Sequence, residues 1–246
     1  MSIVMFGNVT NNYSKNLLLR TMNYKIIKKF EDILFSSIII LIFSPILLLC
    51  LIISLIIQGW PIFYVSKRMV GLSKEIKICK FRTMVKDAKD AKYGLEEKYM
   101  KNGYLDIPLE SEVYTKFGRI LEKTQLVEVP QMFSVLFGSL SVVGNRPLPK
   151  KNIELLKSNH PDLWKDRFKS PAGITGVSQI VGKFALTSLE RLELECLYSK
   201  VYMEGNILKA DAYIFFSTII LLLLHDSVAY RSFDSAKNVL LSCLNK

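Results

Sequence analysis

The run ILFSSIIILIFSPILLLCLIISLII, residues 33–57, decides the architecture: it carries no charged residue and has Ser44-Pro45 at its centre. As a helix it would extend roughly 37 Å, enough for a hydrocarbon core of about 30 Å. Basic residues stand on both sides, Lys25, Lys28 and Lys29 before it, Lys67 and Arg68 after it. Lys and Arg gather on the cytoplasmic flank of membrane segments, so two basic flanks fit a chain that enters and leaves by one face. Pro45 supplies the bend, since it has no N–H and its ring clashes with the preceding turn, while Ser44 can satisfy the freed carbonyl inside the bilayer. Each half, Ile33–Ser44 and Ile46–Ile57, reaches only about 18 Å, too short to span alone. On these residues a re-entrant hairpin and an ordinary kinked transmembrane helix both stand.

Outward from this run, the 246-residue chain leaves about 180 residues for one soluble domain with an ample core. Its 33 Lys and Arg against 22 Asp and Glu give a net charge of +11. That surplus suits an anionic bilayer surface and phosphate-bearing ligands. No RNA- or DNA-binding motif is present, so nucleic acid is not expected as a partner. Cys50, Cys79, Cys196 and Cys243 show no CxxC spacing, which argues against a zinc site or disulfide framework and for a reducing compartment. Residues 1–24 are polar and Asn-rich and read as a loose tail. The apolar run starts too late for a cleavable signal peptide. The expected organisation is a tail over 1–24, a membrane helix over 25–61 and a cytoplasmic domain over 62–246.

Within that domain, Gln58-Gly59-Trp60-Pro61 is an exit turn with an interfacial tryptophan. The alternation in Ile62–Val65 and Ile76–Phe81, separated by Gly71-Leu72-Ser73-Lys74, predicts a β-hairpin, with strand content ending near Arg82. Met84–Tyr104 reads as exposed helix and loop. Helices are predicted over Thr115–Thr124, over Pro130–Phe137 with Pro130 in its first turn and Gly138 closing it, and over Asn152–Lys157. The apolar Tyr213–Leu224 is too short to span; it packs in a core or lies in the bilayer interface. The fold class expected is α+β, mainly helical.

Several segments carry a resemblance together that none carries alone. Lys29-Phe30-Glu31-Asp32 leads into the run broken at Ser44-Pro45, and Gly59-Trp60-Pro61 follows. Then come Lys67-Arg68-Met69-Val70-Gly71, Lys80-Phe81-Arg82-Thr83-Met84 and Thr115-Lys116-Phe117-Gly118-Arg119. Pro130-Gln131, Ser141-Val142-Val143-Gly144-Asn145-Arg146-Pro147, Pro171-Ala172-Gly173-Ile174-Thr175-Gly176 and a late Asp211 complete the order. Over roughly residues 25–225 the chain resembles the bacterial sugar transferases, monotopic phosphoglycosyl transferases that move a sugar phosphate from a nucleotide sugar onto a polyprenyl phosphate. The resemblance implies a re-entrant membrane helix at the bacterial inner membrane, a catalytic domain on its cytoplasmic face and contact with inner-membrane phospholipid. It also implies a UDP-sugar and undecaprenyl phosphate as substrates and Mg2+ as cofactor. A homodimer is left open.

The chemistry needs a nucleophile, a divalent metal on the diphosphate and cations on the phosphoryl oxygens. Arg146, between Gly144-Asn145 and Pro147, can present a planar fork to a phosphate; the plainer reading is a surface arginine in a turn. Arg82, Lys80 and Arg68 are candidates for phosphate or lipid headgroups. By the resemblance Gln131 belongs to the substrate-binding motif, and Gly173, Thr175 and Gly176 form a glycine turn that could approach a nucleotide closely, or simply a structural turn. Glu128 precedes Pro130 at a helix start, where a carboxylate suits the helix dipole.

By the resemblance, Glu128 is the Glu of an Asp-Glu dyad that binds magnesium, and the nucleophilic Asp position is Val127. A valine cannot form an acyl phosphate. Where the family usually has Arg five residues earlier, this chain has Glu122; at 5–6 Å that exchange turns about 3 kcal/mol of attraction for a phosphate into a similar repulsion. Glu128 is therefore the candidate for both catalysis and metal binding, with Asp211 or Glu122 as further metal carboxylates. His160 and His225 stand too far apart in sequence to suggest a His site, and His225 reads as a helix-end residue. Asp32 and Asp211 read more plainly as solvated helix boundaries, and Glu193 and Glu195 as residues on different helix faces.

Overall fold

The computed structural model describes residues 3–101, 104–105, 107–182, 185–224 and 231–244; His225 lies outside them. The chain divides into two compact units. A central unit comprises residues 33–140 and 147–159, and a carboxy-terminal unit comprises residues 1–32, 141–146 and 160–246.

Helix α1, Ile3–Gln58, contributes to both units. Its backbone is already helical over residues 3–24, which corrects the expected loose tail. The physical reason is cooperativity: once a long helix is nucleated, each further residue costs little, and no proline stands before Pro45. The segment Met22–Gln58 is, among the described residues, the one helix long and apolar enough to cross a membrane. The helix continues through Pro45. The carbonyl that Pro45 leaves without its usual N–H partner is that of Leu41, and the Ser44 hydroxyl donates to it at 2.8 Å.

In the central unit β1 (Phe63–Met69) and β2 (Glu75–Phe81) form the expected antiparallel hairpin, in register from Phe63 opposite Phe81 to Met69 opposite Glu75. The stretch expected as exposed helix and loop holds α2 (Leu95–Tyr99) and the two-residue strands β3 (Met100–Lys101) and β4 (Tyr104–Leu105). Helix α3 (Lys116–Lys123) starts at Thr115, whose hydroxyl accepts the Gly118 N–H at 2.9 Å, a standard N-cap. A 3₁₀ turn over Leu126–Gln131 leads into α4 (Met132–Leu136), and Gly138 ends it with φ +73°. Pro130 thus lies in the 3₁₀ turn and not in the first turn of an α-helix. The unit closes with α5 (Lys150–Asn159), and the Met69 N–H donates to the Leu148 carbonyl at 2.8 Å. Its core gathers Cys50, Ile62, Phe81, Leu121 and Val127, flanked by Leu47, Leu51, Phe63, Phe117 and Leu126.

The carboxy-terminal unit contains β5 (Ser141–Val143) and β6 (Gly173–Thr175), which pair in parallel. Strand content therefore continues past Arg82, and Gly173-Ile174-Thr175 is a strand and not a turn. Three-residue strands are too short to display an alternation, which is why the pattern did not reveal them. Around them lie α6 (Val177–Val181), α7 (Ser188–Glu204), α8 (Ile207–Leu224) and α9 (Phe233–Leu244). A capping box of Thr187 and Glu190 opens α7. On α8 one side packs in the core, with Ile214 and Ser217 buried, while Phe216 and Leu223 remain exposed, Leu223 to 77%.

Candidate functional site

The turn bearing Glu128 is set by what its neighbour buries. Gln125 takes a left-handed conformation (φ 58°) after α3, and its carbonyl accepts the Glu128 N–H at 3.2 Å. In the 3₁₀ turn successive side chains point about 120° apart, so Val127 and Glu128 cannot share an environment. Val127 is 1% exposed and packs in the cluster with Cys50, Phe81 and Leu121. Glu128 is half-buried, and Pro130 and Gln131 are buried.

Glu122 is engaged: the Thr83 hydroxyl donates to its Oε1 at 2.9 Å. Thr83 also fixes the start of α3, since its carbonyl accepts the Thr115 N–H at 3.0 Å. Here α3 comes so close that a Cβ on Gly118 would lie 1.9 Å from the Thr83 carbonyl oxygen.

Arg82 has a different role from the phosphate contact expected of it. Its guanidinium donates to the carbonyls of Gln58 (2.8 Å), Gly59 (2.9 Å), Pro61 (2.7 Å) and Met84 (3.0 Å). It is 8% exposed, and burial lowers its pKa from the ordinary arginine value. These contacts describe a clamp on the carbonyl end of α1, where a helix leaves acceptors unpaired and favours a cation. Lys80 on β2 and Arg68 on β1 are half-buried and stand opposite Tyr64 and Ile76.

In the carboxy-terminal unit the glycines are needed for close packing. A Cβ on Gly173 would lie 2.1 Å from the Gly144 nitrogen, and one on Gly176 would lie 2.2 Å from the Gly144 carbonyl oxygen. The Thr175 hydroxyl is 2.6 Å from that of Thr218 on α8. Arg146 is half-buried just beyond β5, and its carbonyl accepts from Arg167 Nη2 at 2.8 Å. The sequence-predicted residues therefore fall into two sets: Glu128, Gln131, Arg82, Lys80 and Arg68 in the central unit, Arg146, Gly173, Thr175 and Gly176 in the other.

Asp32 and Asp211 are not solvated boundaries. Asp211 accepts from Lys28 Nζ at 2.5 Å and from the Tyr198 hydroxyl at 2.7 Å, and Lys28 also donates to the Val143 carbonyl at 2.8 Å. Burial pushes the Asp211 carboxyl above its ordinary range, with Lys28 and the Tyr198 hydroxyl offsetting part of that. Burial, reinforced by Asp211, likewise pushes the Tyr198 phenol well up. Asp32 accepts from Ser141 Oγ and the Val142 N–H, both within 3.0 Å. Sequence reasoning took Lys28 only as a flanking charge; nothing in spacing marks a lysine for burial beside a carboxylate 183 positions away. It also missed the pair of Arg167 and Glu195, joined at 2.8 Å with side chains 2% and 1% exposed. Burial and the neighbouring carboxylates of Asp166 and Glu195 raise the Cys196 thiol to about 12, which makes it inert near neutral pH.

Comparison with known proteins supplies the class. The family described as Bacterial sugar transferase matches residues 23–225. The chain is 34% identical over 195 residues to the UDP-glucose:undecaprenyl-phosphate glucose-1-phosphate transferase of Klebsiella pneumoniae, covering 79% of this chain and 39% of that protein. It is 30% identical over 199 residues to the exopolysaccharide production protein ExoY of Rhizobium meliloti, covering 78% and 83%. It is 27% identical over 203 residues to the UDP-N-acetylgalactosamine-undecaprenyl-phosphate N-acetylgalactosaminephosphotransferase of Aeromonas hydrophila, covering 82% and 45%. The chain thus spans about two fifths of the first relative and most of the length of ExoY. With the family match running from the membrane helix to the end of α8, the chain belongs to the bacterial sugar transferase family.

Proposed function

We propose that the chain is a membrane-bound sugar-1-phosphate transferase that moves its group from a UDP-sugar onto undecaprenyl phosphate and so begins a lipid-linked polysaccharide. The observation that carries the reading is the family match together with Glu128, a half-buried carboxylate on a turn whose other side is anchored by Val127. The names of the relatives, two of them UDP-sugar transferases acting on undecaprenyl phosphate, support the substrate class. Two routes are open to such a site. In one, a Glu128 oxygen attacks the sugar-bearing phosphorus, the bond to the UMP oxygen breaks and UMP leaves. A phosphate oxygen of undecaprenyl phosphate then attacks the same phosphorus and frees the carboxylate. In the other, undecaprenyl phosphate attacks directly with UMP as leaving group.

Magnesium fits the donors in kind. Among the described residues no group of three or more His, Cys, Asp or Glu could cage a metal, but magnesium takes one or two carboxylates and completes its shell with substrate phosphates and water. Glu128 would hold it, and it would neutralise charge on the diphosphate. Asp211, offered by the sequence as a further metal carboxylate, is engaged in the carboxy-terminal unit by Lys28 and the Tyr198 hydroxyl. Arg146 would grip phosphoryl oxygens from its turn.

The membrane segment is proposed to enter and leave by the cytoplasmic face of the bacterial inner membrane. The Ser44 bond to the Leu41 carbonyl supports a proline tolerated inside lipid. The exposed apolar side of α8, with Phe216 and Leu223, suits contact with inner-membrane phospholipid.

A second reading is a non-catalytic relative that binds polyprenyl phosphate or an assembly partner. It is favoured by Val127 in the core at the position of the family's Asp and by Glu122, occupied with Thr83, at that of its Arg. UMP release by the full chain in detergent, from a panel of UDP-sugars with and without undecaprenyl phosphate and magnesium, separates them. Release that depends on lipid and metal and is abolished by Glu128→Ala establishes the transferase. No release from any donor, with undecaprenyl phosphate still bound, establishes the relative. A phosphosugar trapped on Glu128 selects the covalent route.

A further inference from the structure

The buried polar centre of the carboxy-terminal unit closes around the backbone of Asn145-Arg146. Arg167 donates from Nε to Glu195 Oε2 at 2.8 Å and from Nη2 to the Arg146 carbonyl at 2.8 Å. Ser178 Oγ donates to the other Glu195 oxygen at 3.2 Å. Asn145 Nδ2 lies 2.8 Å from the Arg167 carbonyl and 2.9 Å from the Glu195 carbonyl. The Asn145 main chain is tied on both sides, its N–H to the Pro171 carbonyl at 3.1 Å and its carbonyl to the Gly173 N–H at 3.0 Å.

An ion pair this deeply buried is a poor source of stability, because apolar residues of the same volume would often hold the fold as well or better. What it provides is direction. A guanidinium is a rigid planar fork, and with its Nε held by the Glu195 carboxylate the direction of its Nη2 donors is set. The acceptor that Nη2 meets is the carbonyl of Arg146. We infer that Glu195, acting through Arg167, is a positioning residue that sets the main chain of Arg146 for a phosphate-bearing ligand, an inference that rests on the phosphate-binding reading of Arg146. An arginine whose backbone is fixed beforehand loses less freedom when its side chain grips two phosphate oxygens.

The test is a double-mutant cycle read as binding, which does not require turnover. UDP and undecaprenyl phosphate are titrated in separate arms against the full chain in detergent, as wild type, Arg146→Ala, Glu195→Gln and the double variant. Arg146→Ala is expected to weaken one arm by about 10-fold or more, the loss of a charge-assisted contact, and Glu195→Gln to weaken the same arm by about 3- to 10-fold. In the double variant Glu195→Gln is expected to add nothing, because its effect passes through a side chain already removed. An unchanged arm in Glu195→Gln, or effects that simply add, would overturn the inference and leave Arg146 as a phosphate ligand. Both arms unchanged in Arg146→Ala would overturn the phosphate reading itself. Should Glu195→Gln not fold, Arg167→Lys takes its place: it keeps a cation for Glu195 but lacks the fork that reaches the Arg146 carbonyl.

Discussion

Val127 and Glu128 divide one turn between two environments, and each side chain makes the other's placement possible. The valine lies among Cys50, Ile62, Phe81 and Leu121, where a carboxylate would be cut off from water. Val127→Asp is therefore expected to lower the unfolding free energy by about 3 kcal/mol or more, seen as a depressed thermal midpoint. Pairing it with Glu122→Arg removes the Thr83 bond as well. A gain of transfer activity in that double variant would mark the native site as an inactivated one, while a loss would mark Glu128 as working in its present setting. The neighbouring Glu122 shows why residue type alone is a weak guide. Its carboxylate accepts a hydrogen bond from Thr83, just past β2, and so ties that stretch to α3.

At the scale of elements, the joints are made by buried charge and by glycine. Arg82 joins the end of α1 to β2 through four carbonyls, so Arg82→Ala would leave the last turn of α1 without its clamp. The expected cost is about 2–4 kcal/mol, with faster hydrogen exchange confined first to residues 55–61; unchanged exchange there would show that the clamp is dispensable. The middle of α1 is held in another way, by Lys28 on Asp211 and the Val143 carbonyl and by Asp32 on Ser141 and Val142. The two glycines of β6 and its exit, Gly173 and Gly176, are required by the approach of Gly144 and not by any turn. Their part in the site is thereby indirect: they let β5 and β6 come close enough to carry Arg146 at the end of β5.

For the whole molecule the deciding question is how α1 meets the bilayer. With its four cysteines replaced by alanine, the chain can carry Asn23→Cys before the apolar run or Ser73→Cys in the hairpin turn. If the segment is re-entrant, an impermeant maleimide added to intact cells should label neither, and both should label after lysis. Labelling of one alone would show a spanning helix. The sequence by itself determined much of this protein: the uncharged run with its proline, the hairpin, the positions of α3 and α5, and the family. These features are local, carried by composition, alternation and motif within short windows. Only the tertiary structure decided that Arg82 faces carbonyls, that Lys28 meets Asp211, that Glu195 reaches Arg146 through Arg167, and that Gly173 lies in a strand. Each depends on partners far apart in sequence, and a side chain's charge gives no sign of whether folding will bury it or which acceptor it will find there.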